Sequence, residues 1–292
     1  MPDGNSPMSA AGYSQSHWVC ALSPSEKFES SADINSLIKA WHLRMIKHLI
    51  ILSTDQLVTD VKRLYRSLNP GLCTMTVSNM RELYAIPRDV LDQSRLISFL
   101  SAVIVPSEIL NHLEYGAYNF HPAPPARPGW GAASFALLQK VDYFGTTLHR
   151  MIEYVDAGPI VGVDTFLIPK GIPIYQLREL VGQSLSRLVT NSAQDVMGHE
   201  KDLPVLPFAW GSKRYSKQDY VDMTLIDSDI DKTRLESMVK AFGEADNVAQ
   251  LRFLKDKEIY FYAPEKGQCR DAGHIEYFLH GHRFVNRFPA KR

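Results

Sequence analysis

The apolar run Met45-Ile46-Lys47-His48-Leu49-Ile50-Ile51-Leu52-Ser53 constrains the fold more than any other stretch of the chain. A short run that is apolar at successive rather than alternate positions has both of its faces covered, which is the mark of a central strand in a parallel sheet. Parallel neighbours cannot be joined by a hairpin, so helical crossovers must follow. The chain supplies them. Residues 55–67 place Leu57, Val61 and Leu64 on one helical face and stop at Asn69-Pro70-Gly71. Residues 72–77, 96–100 and 116–120 read as further strands, and residues 106–113 and 130–140 as helices. Two more strands are expected over 145–151 and 159–168, then a long helix over 174–197 with Leu177, Leu180, Val181, Leu185 and Leu188 on one side. This alternation predicts an α/β fold, a mostly parallel Rossmann-like sheet with helices on both faces.

Past residue 200 the texture changes. Turns, a basic and aromatic patch at Trp210-Gly-Ser-Lys-Arg-Tyr215, a helix near 232–242 and short strands around 251–261 and 277–284 predict a small mixed C-terminal subdomain over residues 200–292. The main domain is expected to span 45–199. Ahead of it, the opening MPDGNSPMSAAGYSQSHW is rich in Ser, Gly, Pro and Ala and cannot offset its own ordering entropy. Residues 1–44 are therefore expected to be a mobile N-terminal extension, with a short amphipathic helix over 33–44 (Ile34, Leu37, Ile38, Trp41). Met45 is expected to be the true start, or residues 1–44 a dispensable extension, with a genuine N-terminal arm packed on the body as the alternative.

Charge excludes some functions. Lys and Arg number 32 and so do Asp and Glu, leaving no net positive field to gather nucleic acid or anionic lipid. Nucleic-acid and membrane partners are not expected; small-molecule substrates are, and a homodimer is among the assemblies open to the chain. Cys20, Cys73 and Cys269 are far apart and form no CxxC, so a disulfide framework or zinc ribbon is not suggested and a reducing cytoplasm fits. No apolar run approaches the roughly 18 to 20 residues that span a bilayer. The first strand–helix turn, Leu52-Ser-Thr-Asp-Gln-Leu57, has neither GxGxxG nor a phosphate-loop lysine.

The informative segment is Tyr118-Asn-Phe-His-Pro-Ala-Pro-Pro-Ala-Arg-Pro-Gly129. Strand side chains alternate faces, so Asn119 and His121 share one side and Tyr118 and Phe120 the other. Pro122, Pro124, Pro125 and Pro128 cannot continue a ladder, so the strand ends at His121 and breaks into a stiff loop. His121 then sits at a strand's C-terminal end, where open α/β sheets place their ligands. Taken alone, a buried Asn or His is more often structural than catalytic.

Together with two other stretches, however, this segment resembles the folate-dependent formyltransferases, a family that includes glycinamide ribonucleotide, methionyl-tRNA and nucleotide-sugar N-formyltransferases. Leu96-Ile-Ser-Phe-Leu-Ser-Ala-Val-Ile-Val-Pro106 is similar to the family's strand and loop beside the pterin, Tyr118–Gly129 to its N-x-H strand, and Gly145-Thr-Thr-Leu-His-Arg-Met151 followed by Val155-Asp-Ala-Gly-Pro-Ile160 to its Asp-containing loop. The likeness runs over about residues 45–195 and is loose beyond 200. It implies that 45–199 is a catalytic domain, that Asn119, His121 and Asp156 form the catalytic trio, and that 10-formyltetrahydrofolate is the formyl donor. By the same likeness Phe99, Leu100, Ser101, Ala102, Val103 and Val155 would line the folate.

The chemistry asks for the same residue types. An amine adding to a formyl carbon builds negative charge on oxygen, which the Asn119 amide and His121 can stabilise. The amine must also lose a proton while the folate nitrogen gains one; His121 can relay it near neutral pH, with Asp156 orienting the ring and holding a bridging water. No metal is needed, and His280-Gly-His282 reads as surface rather than as a metal site.

The loop His121-Pro-Ala-Pro-Pro-Ala-Arg-Pro-Gly129 is similar to the HPxPPxxPG loop of the nucleotide-sugar branch, which implies an amino-sugar nucleotide as acceptor and a place in cytoplasmic polysaccharide biosynthesis. Methionyl-tRNA enzymes usually carry a Leu-Leu-Pro-x-x-Arg-Gly type of loop. Pro124, Pro125, Trp130, His149, Lys213, Arg214 and Tyr215 are the candidates for holding sugar, base and phosphates. For His149 a satisfied structural histidine, and for the Lys213–Tyr215 cluster a solvated turn, stand as the plainer readings. Two alternatives remain: a methionyl-tRNA-type or other formyltransferase, and a non-catalytic binding module. A hydrogenase-maturation-like processor shares the HPxPP and DAGPI signatures but is expected to carry a long second catalytic domain.

Overall fold

A computed structural model describes residues 46–54, 57–198, 202–243, 250–263 and 275–286. The expected extension over 1–44 and its amphipathic helix lie outside these described residues. Six strands form the first sheet: β1 (His48–Leu52), β2 (Cys73–Val77), β3 (Ser94–Phe99), β4 (Ala117–His121), β5 (Tyr143–Arg150) and β6 (Ile160–Leu167), in the order β2-β1-β3-β4-β5-β6. The first four run parallel and the last two antiparallel, so the sheet is mostly parallel with an antiparallel edge.

Strand alternation sorts the core into two layers. Leu49, Ile51, Ile97, Phe99, Tyr118, Phe120 and Leu148 pack beneath helices α1 (Val58–Leu68) and α6 (Ile174–Asn191), with Val61, Tyr65, Leu185 and Leu188 facing them. Ile50, Leu52, Val77, Leu96 and Ala117 point the other way, under three short helices: α2 (Met80–Tyr84), α3 (Arg88–Leu91) and α4 (Ser107–Leu110). Helices cover both faces, as the pattern predicts. Neither α2 nor α3 is visible in the periodicity, because each is five residues or shorter and so carries little more than one turn of signal. The expected long helix is interrupted at Ser192, whose hydroxyl donates to the Leu188 carbonyl (2.7 Å), and continues as α7 (Ala193–Met197). Between β4 and β5 lies α5 (Ala132–Leu138).

The C-terminal region forms a second sheet of five strands, the first of them β7 (Leu225–Ile226), around its own core of Phe135, Tyr220, Leu235, Phe242, Phe253 and Phe284. Helix α8 (Lys217–Met223) starts on a capping box between Ser216 and Asp219, and α9 (Lys232–Phe242) on an Asp231 side chain that accepts from the Arg234 N–H. The stretch 251–261 resolves into β8 (Arg252–Lys255) and β9 (Glu258–Tyr262), joined through Asp256 and Lys257, both at positive φ. Likewise β10 (Glu276–Leu279) and β11 (His282–Asn286) are joined through His280 and Gly281. His280-Gly-His282 is therefore a hairpin turn, and His280 spends its Nε2 on the Ile230 carbonyl at 2.7 Å. Among the described residues no helix is long and apolar enough to cross a membrane, and no group of His, Cys, Asp and Glu could hold a metal ion.

Candidate active site

Because Tyr118 and Phe120 belong to the core under α6, Asn119 and His121 project from the opposite face of β4. The antiparallel register pairs Asn119 with His149 and His121 with Thr147 on β5, so His149 lands beside Asn119 on that face. Thr147 donates its hydroxyl to the Ala123 carbonyl (2.7 Å), which turns the chain into the proline loop directly after His121.

The loop after β5 brings the carboxylate. Met151 N–H donates to the Ala117 carbonyl and Arg150 N–H to the Pro159 carbonyl, closing a loop whose turning residue is Asp156 at φ 47°. Asp tolerates this left-handed backbone better than most residues. Its two oxygens are divided. Oδ2 accepts from the Gly129 N–H at 2.9 Å, while Oδ1 lies 3.5 Å from His121 Nδ1 and 3.4 Å from His149 Nε2. His149 Nε2 is also 3.2 Å from Asn119 Nδ2. Four polar side chains thus form one chain of contacts, Asn119 to His149 to Asp156 to His121. His121, His149 and Asp156 are buried, at 6%, 3% and 4% exposure, and Asn119 alone is half-buried.

Proton positions follow from the partners. His149 Nδ1 faces the Arg150 carbonyl (2.9 Å) and Nε2 stands between Asn119 Nδ2 and Asp156 Oδ1, so with its hydrogen on Nε2 the ring donates to the carboxylate and with it on Nδ1 it accepts from Asn119. Asn119 keeps a second N–H for another acceptor. His121 likewise has acceptors at both nitrogens: Nδ1 faces the Asp156 carboxylate and Nε2 the Arg127 carbonyl at 3.2 Å. A neutral imidazole has one hydrogen for two such positions, which makes this ring a proton carrier with a defined place at either end. Burial pushes the His121 imidazole below its ordinary range, partly offset by Asp156. For Asp156 burial acts upward, but the hydrogen bond to His149, the charge of His121 and the Gly129 N–H outweigh it and hold the carboxyl below the usual carboxylate range.

The other expected residues separate into those near this cluster and those elsewhere. The Phe99 side chain is 1% exposed and packs with Tyr118 and Phe120 on the far face, since it stands level with Phe120 in the parallel register. It can offer a ligand only backbone. Beyond it the strand leaves the sheet sharply at Leu100 (φ 50°), Ser101 accepts from the Val103 N–H, and Leu100 and Ala102 stand exposed. Val155, next to Asp156, is 47% exposed. His149 belongs to the catalytic-type cluster rather than to a sugar-facing wall, with both nitrogens spent inside the protein. Pro125 is buried, with its carbonyl taken by the Gly211 N–H, whereas Pro124 is half-buried and starts the turn closed by the Arg127 N–H.

Trp130 stays 42% exposed, and the ammonium of Lys217 lies 5.8 Å from the centre of its ring. Tyr215 stacks its ring on Phe135 at 3.8 Å, with the Lys213 ammonium 4.6 Å from its centre, and its hydroxyl accepts from Gln139. Lys213 lines a cavity of about 570 Å³ with Asp219, Asp222 and Met238, in the C-terminal subdomain. Arg214 does reach the cluster, donating to the Asp156 backbone carbonyl at 3.0 Å. One residue at the cluster was not among the sequence candidates. Trp210 sets its ring edge-on against both imidazoles, with centroids 5.0 Å from His149 and 5.9 Å from His121.

Residues 97–179 match the formyl transferase family. A methionyl-tRNA formyltransferase of Wolbachia sp. subsp. Drosophila simulans (strain wRi) is 32% identical over 106 residues, which are 35% of this chain and only 34% of that protein. Among solved structures, a sugar N-formyltransferase from Shewanella sp. superposes with a TM-score of 0.62 at 18% identity, covering 77% of this chain and 100% of the other. The N-formyltransferase from Helicobacter canadensis, solved with folinic acid and dTDP-3-aminofucose, gives 0.53 at 14%, covering 83% and 99%. These two likenesses establish a shared fold.

Proposed function

We propose that this chain, which carries a formyl transferase domain over residues 97–179, transfers a formyl group from 10-formyltetrahydrofolate to the amine of a nucleotide-linked amino sugar. The observation that carries the reading is the single carboxylate oxygen of Asp156 shared between His121 Nδ1 and His149 Nε2, with Asn119 on the latter. A binding module gains nothing from burying three titratable side chains against one another. A proton-transfer site requires it.

The donor's contribution is an activated one-carbon unit. Leu100 at 42%, Ile104 at 65% and Val155 at 47% exposure hold apolar surface out to solvent on loops flanking the cluster, which suits a flat heteroaromatic ring. Leu100, Ser101, Ala102, Val103 and Val155 would hold it, with Phe99 contributing backbone. The chain's own residues then divide the work. Asn119 donates its free N–H to the formyl oxygen as negative charge develops there, a donor typically worth about 3 kcal/mol. His121 takes the amine's proton at Nε2, the nitrogen that Asp156 does not hold, and passes it from there to the folate nitrogen as the bond from that nitrogen to the formyl carbon breaks; such transfer contributes on the order of 100- to 10,000-fold. His149 aligns Asn119 and Asp156 with each other.

The sugar-nucleotide acceptor is supported by the stiff proline loop after His121, which presents Pro124 as a fixed wall at little ordering cost, and by the exposed Trp130, Lys213 and Arg214, which can meet a base and a diphosphate. A methionyl-tRNA acceptor is the second reading, favoured by the Wolbachia relative. Against it stands the balanced charge, since phosphate contacts dominate RNA affinity. A panel assay separates them: 10-formyltetrahydrofolate with amino-sugar nucleotides, charged initiator tRNA or glycinamide ribonucleotide, read by folate release and product mass. Formylation of a 3-amino or 4-amino sugar nucleotide is expected. Formylation of tRNA alone would overturn the acceptor, and no reaction with any amine would overturn the activity. The domain division at residues 45–199 and 200–292 belongs to the same proposal, the first part carrying the chemistry and the second closing over it.

A further inference from the structure

We infer that Trp210 is a positioning residue for the catalytic cluster, its indole holding both imidazoles and the Asp156 loop in register and keeping bulk water off them. The inference rests on the formyl-transfer reading but is carried by separate contacts. Residues 202–215 run as a strap across the two loops that bear the site. Leu206 N–H donates to the Ile160 carbonyl at 2.8 Å, Gly211 N–H to the Pro125 carbonyl at 2.9 Å, and the Tyr215 carbonyl accepts from Trp130 N–H at 2.8 Å. The Arg214 guanidinium holds the Asp156 carbonyl at 3.0 Å. The strap lies so close that a β-carbon on Gly211 would come within 2.2 Å of the Ala126 carbonyl oxygen, and one on Gly129 within 2.2 Å of that of Tyr215.

At the middle of this strap Trp210 makes three directional contacts at once. Its Nε1 donates to the Gly158 carbonyl at 2.7 Å, two residues past Asp156, and its ring meets His149 and His121 at interplanar angles of 88° and 69°. Edge-on geometry places the positive rim of one ring against the face of another and is angle-selective, so the indole restrains ring orientation as well as filling space. Among the described residues no other ring stands against both imidazoles. The groups that face His121 are Asp156, His149 and Arg214, together with the Arg127 carbonyl.

The test compares Trp210→Phe and Trp210→Ala with the wild-type chain, measuring kcat and KM for 10-formyltetrahydrofolate and an amino-sugar nucleotide. The imidazole titrations of His121 and His149 are followed in parallel by NMR. Phe keeps the ring and loses the N–H, so kcat should fall about fivefold, the value of one ordinary hydrogen bond. Ala loses both, and a displacement of about 1 Å at the reacting groups should lower kcat about a hundredfold with KM little changed. In the Ala variant the His121 midpoint should climb toward the ordinary value of about 6.5 as water returns. Unchanged kcat and titration in folded Trp210→Ala would overturn the inference, as would a KM effect with kcat intact, which would make Trp210 a binding surface. If the Ala variant does not fold, the same readouts on Trp210→Phe decide. If the wild-type protein transfers no formyl group, the activity reading fails, while the titrations still show whether Trp210 governs the imidazoles.

Discussion

Two buried polar clusters in the same sheet are built on opposite principles. Arg95 on β3 is wholly buried, and its guanidinium is met by backbone: the Tyr115 carbonyl at 2.8 Å, and those of Asp195, Val196 and Gly198 at 3.1, 2.6 and 3.2 Å. It caps the C-terminal end of α7, where carbonyls lack helical partners and a cation is favoured by the helix dipole. Its four acceptors are main-chain carbonyls, which do not titrate. One strand over, His121, His149 and Asp156 are satisfied mainly by one another, and the hydrogen between His121 and its two acceptors has two places to be. Burial alone therefore does not distinguish structure from chemistry; what distinguishes them is whether the buried groups can exchange a proton.

The comparison breaks if the first cluster turns out to matter for turnover. Arg95→Met leaves several buried carbonyls without a donor, each worth roughly 1–3 kcal/mol. The melting temperature should then fall by about 10 °C or more, while activity per folded molecule is unchanged. Calorimetry together with active-site titration checks this, and activity lost beyond the unfolded fraction would show that the two clusters are coupled.

Acid sharpens the contrast. His121 has its folded-state pKa lowered, so its neutral form is the one the fold favours; that stability is complete above the unfolded value of about 6.5 and is lost as pH falls through the lower folded value. Asp156 is also lowered, so its contribution persists above the ordinary carboxylate value and disappears only as pH falls through its lower folded value. Hydrogen-exchange protection, corrected for intrinsic rates, should fall between pH 7 and pH 5 in residues 122–130 and 151–159 and hold steady in 193–198. Equal loss in all three segments would remove the distinction.

The smallest effect belongs to Tyr65 on α1, whose hydroxyl is buried without a hydrogen-bond partner among the described residues and whose pKa burial drives upward. Tyr65→Phe removes an unsatisfied group at constant shape and should change stability by less than about 1 kcal/mol, toward greater stability. Denaturant unfolding reads it; a loss above that size would mean the hydroxyl has a partner such as a bound water.

How much of this was legible in the sequence varies with the range of the interaction. The two-residue period of β4 put Asn119 and His121 together and away from Tyr118 and Phe120, because alternation is local. The same rule applied one strand earlier puts the Phe99 side chain on the face of Phe120, its neighbour in register, and leaves only its backbone for a ligand. Asp256-Lys257 was not legible as a hairpin turn, as it lacks the Asn-Gly or Asp-Gly signature that positive φ at both positions favours. Trp210 and Tyr215 sit five residues apart in one patch yet end against His149 and Phe135 respectively. Those partners are 61 and 80 residues away in the chain, a separation no periodicity encodes.

On the proposed function Asn119, His121 and Asp156 carry the transfer, and the turnover of His121→Ala at pH 7, measured alongside its unfolding transition, decides it. The account predicts a rate at least about a hundredfold below wild type in a protein that still unfolds cooperatively near the wild-type temperature. A folded His121→Ala variant with near-normal turnover would contradict it.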